Sequence, residues 1–260
     1  ENQLQQEIEN VLEMSKEVYK DFKISDYWYR LSLPDFKNKE KFGDIKNKKI
    51  WQKGSNILKK ALQDLNHKFI EAPGEASFYG PKIDIQIKNI FGKEDTIGTV
   101  QVDYYSAKRF NLYYIDEKGK EKPVVIIHRA IMGSFERFMA FLLEKTCGYL
   151  PLWLSPLQVK ILPISDKFIN YSQKILKILK ENNIEVELDN RNETLGKKIR
   201  EAELMHIPYI LIIGEKEKNN NLVSIRHPEE YLKKYSEFKN GELKLQNFID
   251  KIQNEIKNKI

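Results

Sequence analysis

Val124-Val125-Ile126-Ile127-His128-Arg129-Ala130-Ile131-Met132-Gly133-Ser134-Phe135-Glu136-Arg137 reads as an apolar strand that passes straight into a helix. Four apolar residues in succession give the strand, His128 ends it, and the apolar run that follows predicts one largely buried helix over 130–146. On that helix Gly133 and Arg137 are four apart and share a face. Helical side chains lean toward the N-terminus, so Arg137 can extend over the bare Gly133 and make a groove floor with a guanidinium beside it. A planar guanidinium stacks on a nucleobase or contacts phosphate. Burial in so apolar a helix demands an anionic or π partner, and an internal ion pair with Glu136 or Asp103 would serve as well. His128 alone reads equally as a satisfied core histidine, since a catalytic zinc takes about three protein ligands.

Upstream, short strand-like runs at 69–70, 82–89, 98–105 and 112–116 join 124–128 and predict an antiparallel sheet. In Gly98-Thr99-Val100-Gln101-Val102-Asp103-Tyr104, alternation puts Thr99, Gln101 and Asp103 on one face and the valines on the other. That pattern suits a polar-lined cleft, or an ordinary half-exposed strand. In Phe78-Tyr79-Gly80-Pro81-Lys82-Ile83-Asp84, the Gly-Pro turn presents Tyr79 and Lys82 together at a sheet end. The Lys82 ammonium there suits a phosphate oxygen, or is simply solvated. Further upstream are a helix over 2–22, a strand over 27–33, a charged segment over 37–49 and an amphipathic helix over 51–66.

Downstream, the two prolines of Pro151-Leu152-Trp153-Leu154-Ser155-Pro156 mark a linker, dividing a domain over 1–150 from one over 157–260. Strands at 158–164, 184–189, 209–213 and 222–226 alternate with helices at 168–180, 195–205 and 245–256, which implies an α/β domain with a mostly parallel sheet. Loops at the carboxyl ends of such strands bind ligands. The one holding Asn190, Arg191, Asn192 and Glu193 is rich in groups that read base edges, or is a helix N-cap with a basic face. Residues 217–221 read as a loop.

Composition sets outer bounds. A formal net charge of +6 and a pI of about 9.0 fit a polyanionic partner, although a Lys-, Asn- and Ile-rich genome would leave the same excess. Cys147 is the sole cysteine, so no internal disulfide forms and a cytoplasmic setting is the default; its place at the end of an apolar run predicts a buried thiol. No apolar stretch is long enough to span a bilayer, which argues against a membrane partner. The N-terminus resembles neither a signal peptide nor an initiator and is expected to begin inside something larger. His67, His206 and His227 show no ligand spacing. There is no GxxxxGK loop, no dinucleotide fingerprint and no nucleophile elbow around Ser134.

Taken in order, these blocks resemble the threonyl-tRNA synthetases, class II enzymes, over essentially the whole chain; His128 to Arg137 is similar to their third motif. The resemblance implies an α+β catalytic domain, present in part, built on an antiparallel sheet. After it comes an α/β anticodon-binding domain with a mostly parallel, mixed sheet. It implies activation of threonine by ATP, with Mg2+, to threonyl-adenylate, and transfer to tRNA(Thr) by a homodimeric parent enzyme. It assigns Arg137 to the adenine of ATP, Lys82 to the α-phosphate, Tyr79, Gln101 and Ser134 to the substrate, and His128 to one of three zinc ligands. Zinc in that family binds the threonine hydroxyl, which rejects valine. Asn192, Glu217 and Arg226 match anticodon contacts, with Arg200 in support. Where the family carries Trp-Gln-Cys, this chain has Asp95-Thr96-Ile97, losing one polar group at Thr96. The remaining zinc ligands and the first two motifs would lie upstream, so the segment alone is expected to be inactive and to hold little zinc. The alternatives are a non-catalytic, synthetase-like accessory protein that binds nucleic acid, against which the presence of all four of Lys82, Gln101, His128 and Arg137 argues, and a synthetase for another amino acid.

Overall fold

The polar and apolar alternation of 98–103 becomes the two faces of a five-stranded sheet. The computed structural model describes residues 2–42, 48–235 and 240–260, and the chain falls into two units, Glu1–Glu144 and Lys145–Ile260. The first unit runs α1 (Asn2–Asp21), β1 (Tyr27–Leu33), α2 (Lys39–Phe42), α3 (Lys48–Asp64), β2 (Phe69–Pro73), β3 (Lys82–Lys88), β4 (Glu94–Asp103), α4 (Ser106–Arg109), β5 (Tyr113–Ile115), β6 (Glu121–Pro123), β7 (Ile126–Ala130) and α5 (Phe135–Thr146). The strand order is β2-β1-β3-β4-β7. All neighbours are antiparallel except β1 and β2, which are parallel, and β5 with β6 forms a separate hairpin. Part of the charged segment at 37–49 is helical; its stretch 43–47 lies outside the described residues.

One sheet face is apolar. Ile83, Ile85, Ile87, Val100 and Val102 pack against Ile8, Leu12 and Tyr19 of α1 and Leu58, Ala61 and Leu62 of α3, all buried. Burying each large aliphatic side chain contributes about 1.5–3 kcal/mol, and this layer fixes which face remains polar. A bulge in β4 preserves that polarity over its whole length. Ile85 pairs with Gly98 but Gln86 with Thr96, so Ile97 is an extra residue and drops into the core. Thr96 therefore stays on the polar face, where its hydroxyl accepts a hydrogen bond from Gln86 Nε2 at 2.6 Å.

The helix expected over 130–146 begins later. Pairing of β7 with β4 continues to Ala130, and the chain then turns through Gly133 at φ +62°, a left-handed conformation suited to glycine. Ser134 caps α5, accepting the Arg137 backbone N–H at 3.3 Å. Gly133 and Arg137 therefore do not share a helix face. Nor is α5 buried over much of its surface: Phe138, Leu142 and Thr146 are buried, whereas Phe135 is 75% exposed and Met139 and Leu143 are exposed. Cys147 is exposed rather than buried, because the helix has ended and the residue sits at φ +54°.

The second unit runs β8 (Val159–Pro163), α6 (Ile169–Glu181), β9 (Val186–Leu188), α7 (Leu195–Leu204), β10 (Tyr209–Ile213), α8 (Glu215–Asn220), β11 (Leu222–Arg226), α9 (Glu229–Tyr235), β12 (Gly241–Lys244) and α10 (Leu245–Lys257). Its sheet order is β12-β11-β10-β8-β9, parallel across β9, β8 and β10 and antiparallel beyond. Ile175 and Leu179 of α6 and Phe248, Ile249 and Ile252 of α10 bury one face; Ala202 of α7 buries the other with Leu162 and Ile210. Residues 151–156 are packed into this unit rather than serving as a linker. Leu152 is fully buried in its core, and its carbonyl accepts a hydrogen bond from Gln158 Nε2 at 3.0 Å. Residues 217–221 are not a loop either. Glu217 Oε2 accepts the Gly214 N–H at 2.8 Å and stabilises the first turn of α8.

Candidate functional site

Strand register, which depends on partners distant in sequence, builds the site. Lys82 lies opposite Gln101, and Gln101 opposite His128; Ser32 faces Lys82 from the other side. Four polar residues from β1, β3, β4 and β7 thus form one row across the polar face, with cross-strand neighbours at roughly 4.5–5.5 Å.

Each member of the row is held. Lys82 Nζ donates to both Asp84 carboxylate oxygens, at 2.8 and 2.7 Å. Asp84, 1% exposed, also accepts from Ser32 Oγ at 2.7 Å and lies 3.4 Å from Arg30 Nη2. The Tyr79 hydroxyl donates to Gln101 Oε1, and Gln101 Nε2 donates to Thr99 Oγ1 at 3.1 Å. The Tyr79 turn fits only because position 80 is glycine: a β-carbon there would run into the Val102 carbonyl oxygen. His128 Nε2 lies 2.9 Å from Asp103 Oδ2, and the Tyr79 ring is 5.3 Å from the imidazole, centroid to centroid. Asp103 is fully buried; its other oxygen accepts the backbone N–H groups of Tyr105 at 2.7 Å and Ser106 at 2.9 Å. Burial pushes the Asp103 carboxyl up, but hydrogen bonds from Ser106, His128 and Tyr105 outweigh it and hold the group below the usual carboxylate range.

So the structure brings Tyr79, Lys82, Gln101 and His128 together. Arg137 stands apart from that row in the first turn of α5. It is exposed rather than buried, so the condition that would have demanded an ion pair with Glu136 or Asp103 is not met. Ser134 is occupied as the α5 cap. Asp84 and Ser32 are the residues that sequence reasoning missed. Asp84 was findable, since it sits two residues after Lys82 on the same strand face; Ser32 was not, because only cross-strand register brings it there.

For a metal, His128 fits in one respect. With Nε2–H given to the Asp103 carboxylate, Nδ1 keeps a lone pair facing away, the orientation that metal-binding histidines adopt. Among the described residues, however, no group of three or more His, Cys, Asp or Glu side chains could hold a metal ion. This chain offers one ligand and the carboxylate that orients it, and does not fit a complete zinc site. The other histidines are accounted for by packing: His67 stacks on Tyr29 and His206 on Tyr149, while His227 Nδ1 bonds the Pro208 carbonyl at 2.7 Å.

In the second unit, Asn192 follows the carboxyl end of β9 and Glu217 that of β10, on the ligand-binding edge of the parallel strands. Arg191 secures the Asn192 loop by bonding Asp189 at 2.6 and 2.9 Å and Glu201 at 2.6 Å, and its hydrogen bonds hold the Asp189 carboxyl below its ordinary value. Arg226 pairs in register with Ile210, toward the other end of β10, and its Nε donates to Glu203 Oε1 at 2.9 Å. Arg200, exposed on α7, is three residues from Glu203 and therefore on the same side of that helix. Arg226 is thus paired with the Glu203 carboxylate, while the Glu217 carboxylate is already committed to Gly214.

Residues 1–146 match the tRNA synthetase class II core domain (G, H, P, S and T), and residues 158–255 match the anticodon binding domain. A threonine–tRNA ligase of Clostridium perfringens (strain 13 / Type A) is 44% identical over 261 residues, covering 99% of this chain and 39% of that protein. One from Oceanobacillus iheyensis is 41% identical over 259 residues, again 99% of this chain and 39% of that protein. A crystal structure described as the RNA binding domain of threonyl-tRNA synthetase from Cryptosporidium parvum Iowa II has a TM-score of 0.85 and 33% identity, covering 97% of this chain and 60% of that one. The chain spans about 39% of the length of the curated relatives it matches.

Proposed function

The chain belongs to the class II tRNA synthetases, carrying their core domain followed by an anticodon-binding domain, and from that premise we propose that it serves threonyl-tRNA synthesis: ATP-dependent activation of threonine and its transfer to tRNA(Thr). The observation that carries this reading is the row Lys82–Gln101–His128 across three adjacent strands. It joins a fixed ammonium, an amide held by a tyrosine hydroxyl, and an imidazole held by a buried carboxylate. Lys82 takes the α-phosphate of ATP, worked with Mg2+; Gln101 and Tyr79 hold the amino acid; the exposed Arg137 supplies a flat cation for the adenine ring. His128, oriented by Asp103, would give one ligand to a zinc ion that the described residues alone do not complete. Ser134 is a further substrate contact in this reading, its hydroxyl also accepting the Arg137 backbone N–H.

Because the described residues offer a single zinc ligand, the 260-residue chain by itself is expected to show no threonine-dependent pyrophosphate exchange. Exchange clearly above a no-threonine control would overturn that part of the reading.

Asn192, Arg200, Glu217 and Arg226 read the anticodon. A base-edge contact contributes about 1–3 kcal/mol, so Arg226→Ala should weaken binding of tRNA(Thr) by roughly 5- to 150-fold, with a smaller loss for a transcript whose anticodon is altered. A filter-binding titration checks this; equal losses for both transcripts would remove Arg226 from base recognition.

A further inference from the structure

The elbow that joins β7 to α5 is held from beneath by α1. Tyr19, fully buried near the end of α1, donates its hydroxyl to the Ile131 carbonyl at 2.6 Å, across 112 residues of sequence. Ile131 is the first residue past the last pair between β7 and β4, Ala130 with Thr99. The Tyr19 ring is set edge-on against Tyr27, with centroids 5.1 Å apart. Burial pushes the Tyr19 hydroxyl up, so the group remains a donor across the physiological range. Three residues on, the Phe22 ring meets Phe138 of α5 edge to face, with centroids 4.9 Å apart. The backbone of β4 leaves room for this arrangement only because position 98 is glycine. A β-carbon there would stand 2.5 Å from the Tyr19 hydroxyl oxygen and 2.9 Å from the Ile131 carbonyl oxygen.

A buried tyrosine often bonds whichever carbonyl lies nearest, and its ring then matters only for packing. Here the acceptor lies outside the regular elements, in the turn from which Ser134 and α5 start. Tyr19 and Phe22 fix two different things. The hydroxyl sets where the elbow lies, and the Phe22–Phe138 contact sets how α5 is turned about its axis. Neighbouring residues on a helix point about 100° apart, so seating Phe138 in the core sends Arg137 to the exposed side. We propose that Tyr19, with Phe22 in support, is a positioning residue: it aims the Arg137 guanidinium by pinning the elbow at Ile131. The inference rests on the proposed function for what Arg137 meets, the adenine of ATP, and not for the pinning itself.

The pinning is tested on the 260-residue chain by amide hydrogen exchange. Tyr19→Phe keeps the ring and removes only the donor. Exchange of the amides of 132–138 should accelerate by about 3- to 10-fold, the usual contribution of one hydrogen bond. The control is Ile85→Val, a core variant whose loss of overall stability, read from urea melting, is of similar size. It should leave the same amides within about twofold of wild type, because it does not touch the local opening of the elbow. The aim of Arg137 is tested by pyrophosphate exchange in a polypeptide extended to the full length of its curated relatives. There Tyr19→Phe should raise KM for ATP by about 3- to 10-fold, with kcat and KM for threonine within about twofold of wild type. Combined with Arg137→Ala, it should raise KM for ATP no further than Arg137→Ala does alone, because its effect runs through that guanidinium. Unchanged exchange at 132–138, or equal acceleration there by Tyr19→Phe and Ile85→Val, would leave Tyr19 a packing residue and overturn the inference. So would a KM for ATP that rises equally with and without Arg137, or that stays at the wild-type value while Arg137→Ala raises it. If Arg137→Ala itself leaves KM for ATP unchanged, it is the adenine reading that fails, and acceleration confined to the Tyr19 variant still supports the pinning.

Discussion

In a polypeptide extended to the full length of its curated relatives, Lys82→Ala is expected to reduce threonine-dependent pyrophosphate exchange by about 10²- to 10³-fold, the usual consequence of removing one pre-positioned donor from developing negative charge. The size of the effect follows from how firmly the ammonium is placed. Both oxygens of Asp84 bind it, and Asp84 is itself buried and tied to Ser32. Two of the three N–H directions of Lys82 are thus occupied, leaving one for a ligand on the open side of the sheet. Lys82→Arg should recover little, because a planar fork cannot take the place of a compact ammonium seated between the two Asp84 oxygens. Activity within about threefold of wild type for either variant would sink the phosphate role of Lys82. Thermal melting of the variants separates that outcome from misfolding.

Asp103→Ala is expected to destabilise the first unit by about 3–5 kcal/mol, the cost of stripping one partner from a buried charged network. Two backbone amides and the His128 ring lose their acceptor together. With a typical urea dependence of about 1–3 kcal/mol/M, the midpoint should fall by about 1–5 M. The pH dependence has a definite sign. The folded Asp103 carboxyl is held below its unfolded value, which is about 3.9. Its contribution is therefore fully present above about pH 4 and is lost as pH falls from there through the folded value. Asp103→Asn should flatten the acid limb of the stability curve while leaving His128 a partner. Matching urea midpoints for wild type and Asp103→Ala at neutral pH would refute the network.

How far the sequence could be read depended on whether a feature is local. The strands at 209–213 and 222–226 match β10 and β11 residue for residue, because the apolar run and the turn residues around them are short-range signals. The polar face of β4 was visible as alternation through Thr99, Gln101 and Asp103. What stayed hidden was the cross-strand row, since the register that sets Lys82 against Gln101 against His128 is decided by packing of the opposite face. The start of α5 was misplaced for a similar reason: strand pairing carried β7 on to Ala130, overriding the helical spacing of 130–134. Helix α8 was missed because its residues, Glu-Lys-Glu-Lys-Asn-Asn, have no apolar period at all, and its start rests on a glycine amide bound by Glu217. Arg137 was expected to be buried because α5 is rich in apolar residues, yet much of that surface is exposed in this unit.

The extra residue at Ile97 gives β4 a hidden phase. Removing Ile97 would leave Thr96 opposite Gln86 and cost the core one side chain, while every other residue of the strand kept its side. Keeping Ile97 but smoothing out the bulge would do the reverse: Ile97 would turn toward the ligand side and Thr96 toward the oil, while Gln101 and Asp103 kept their places. At this point the strand can change length and keep its faces, but it cannot change phase.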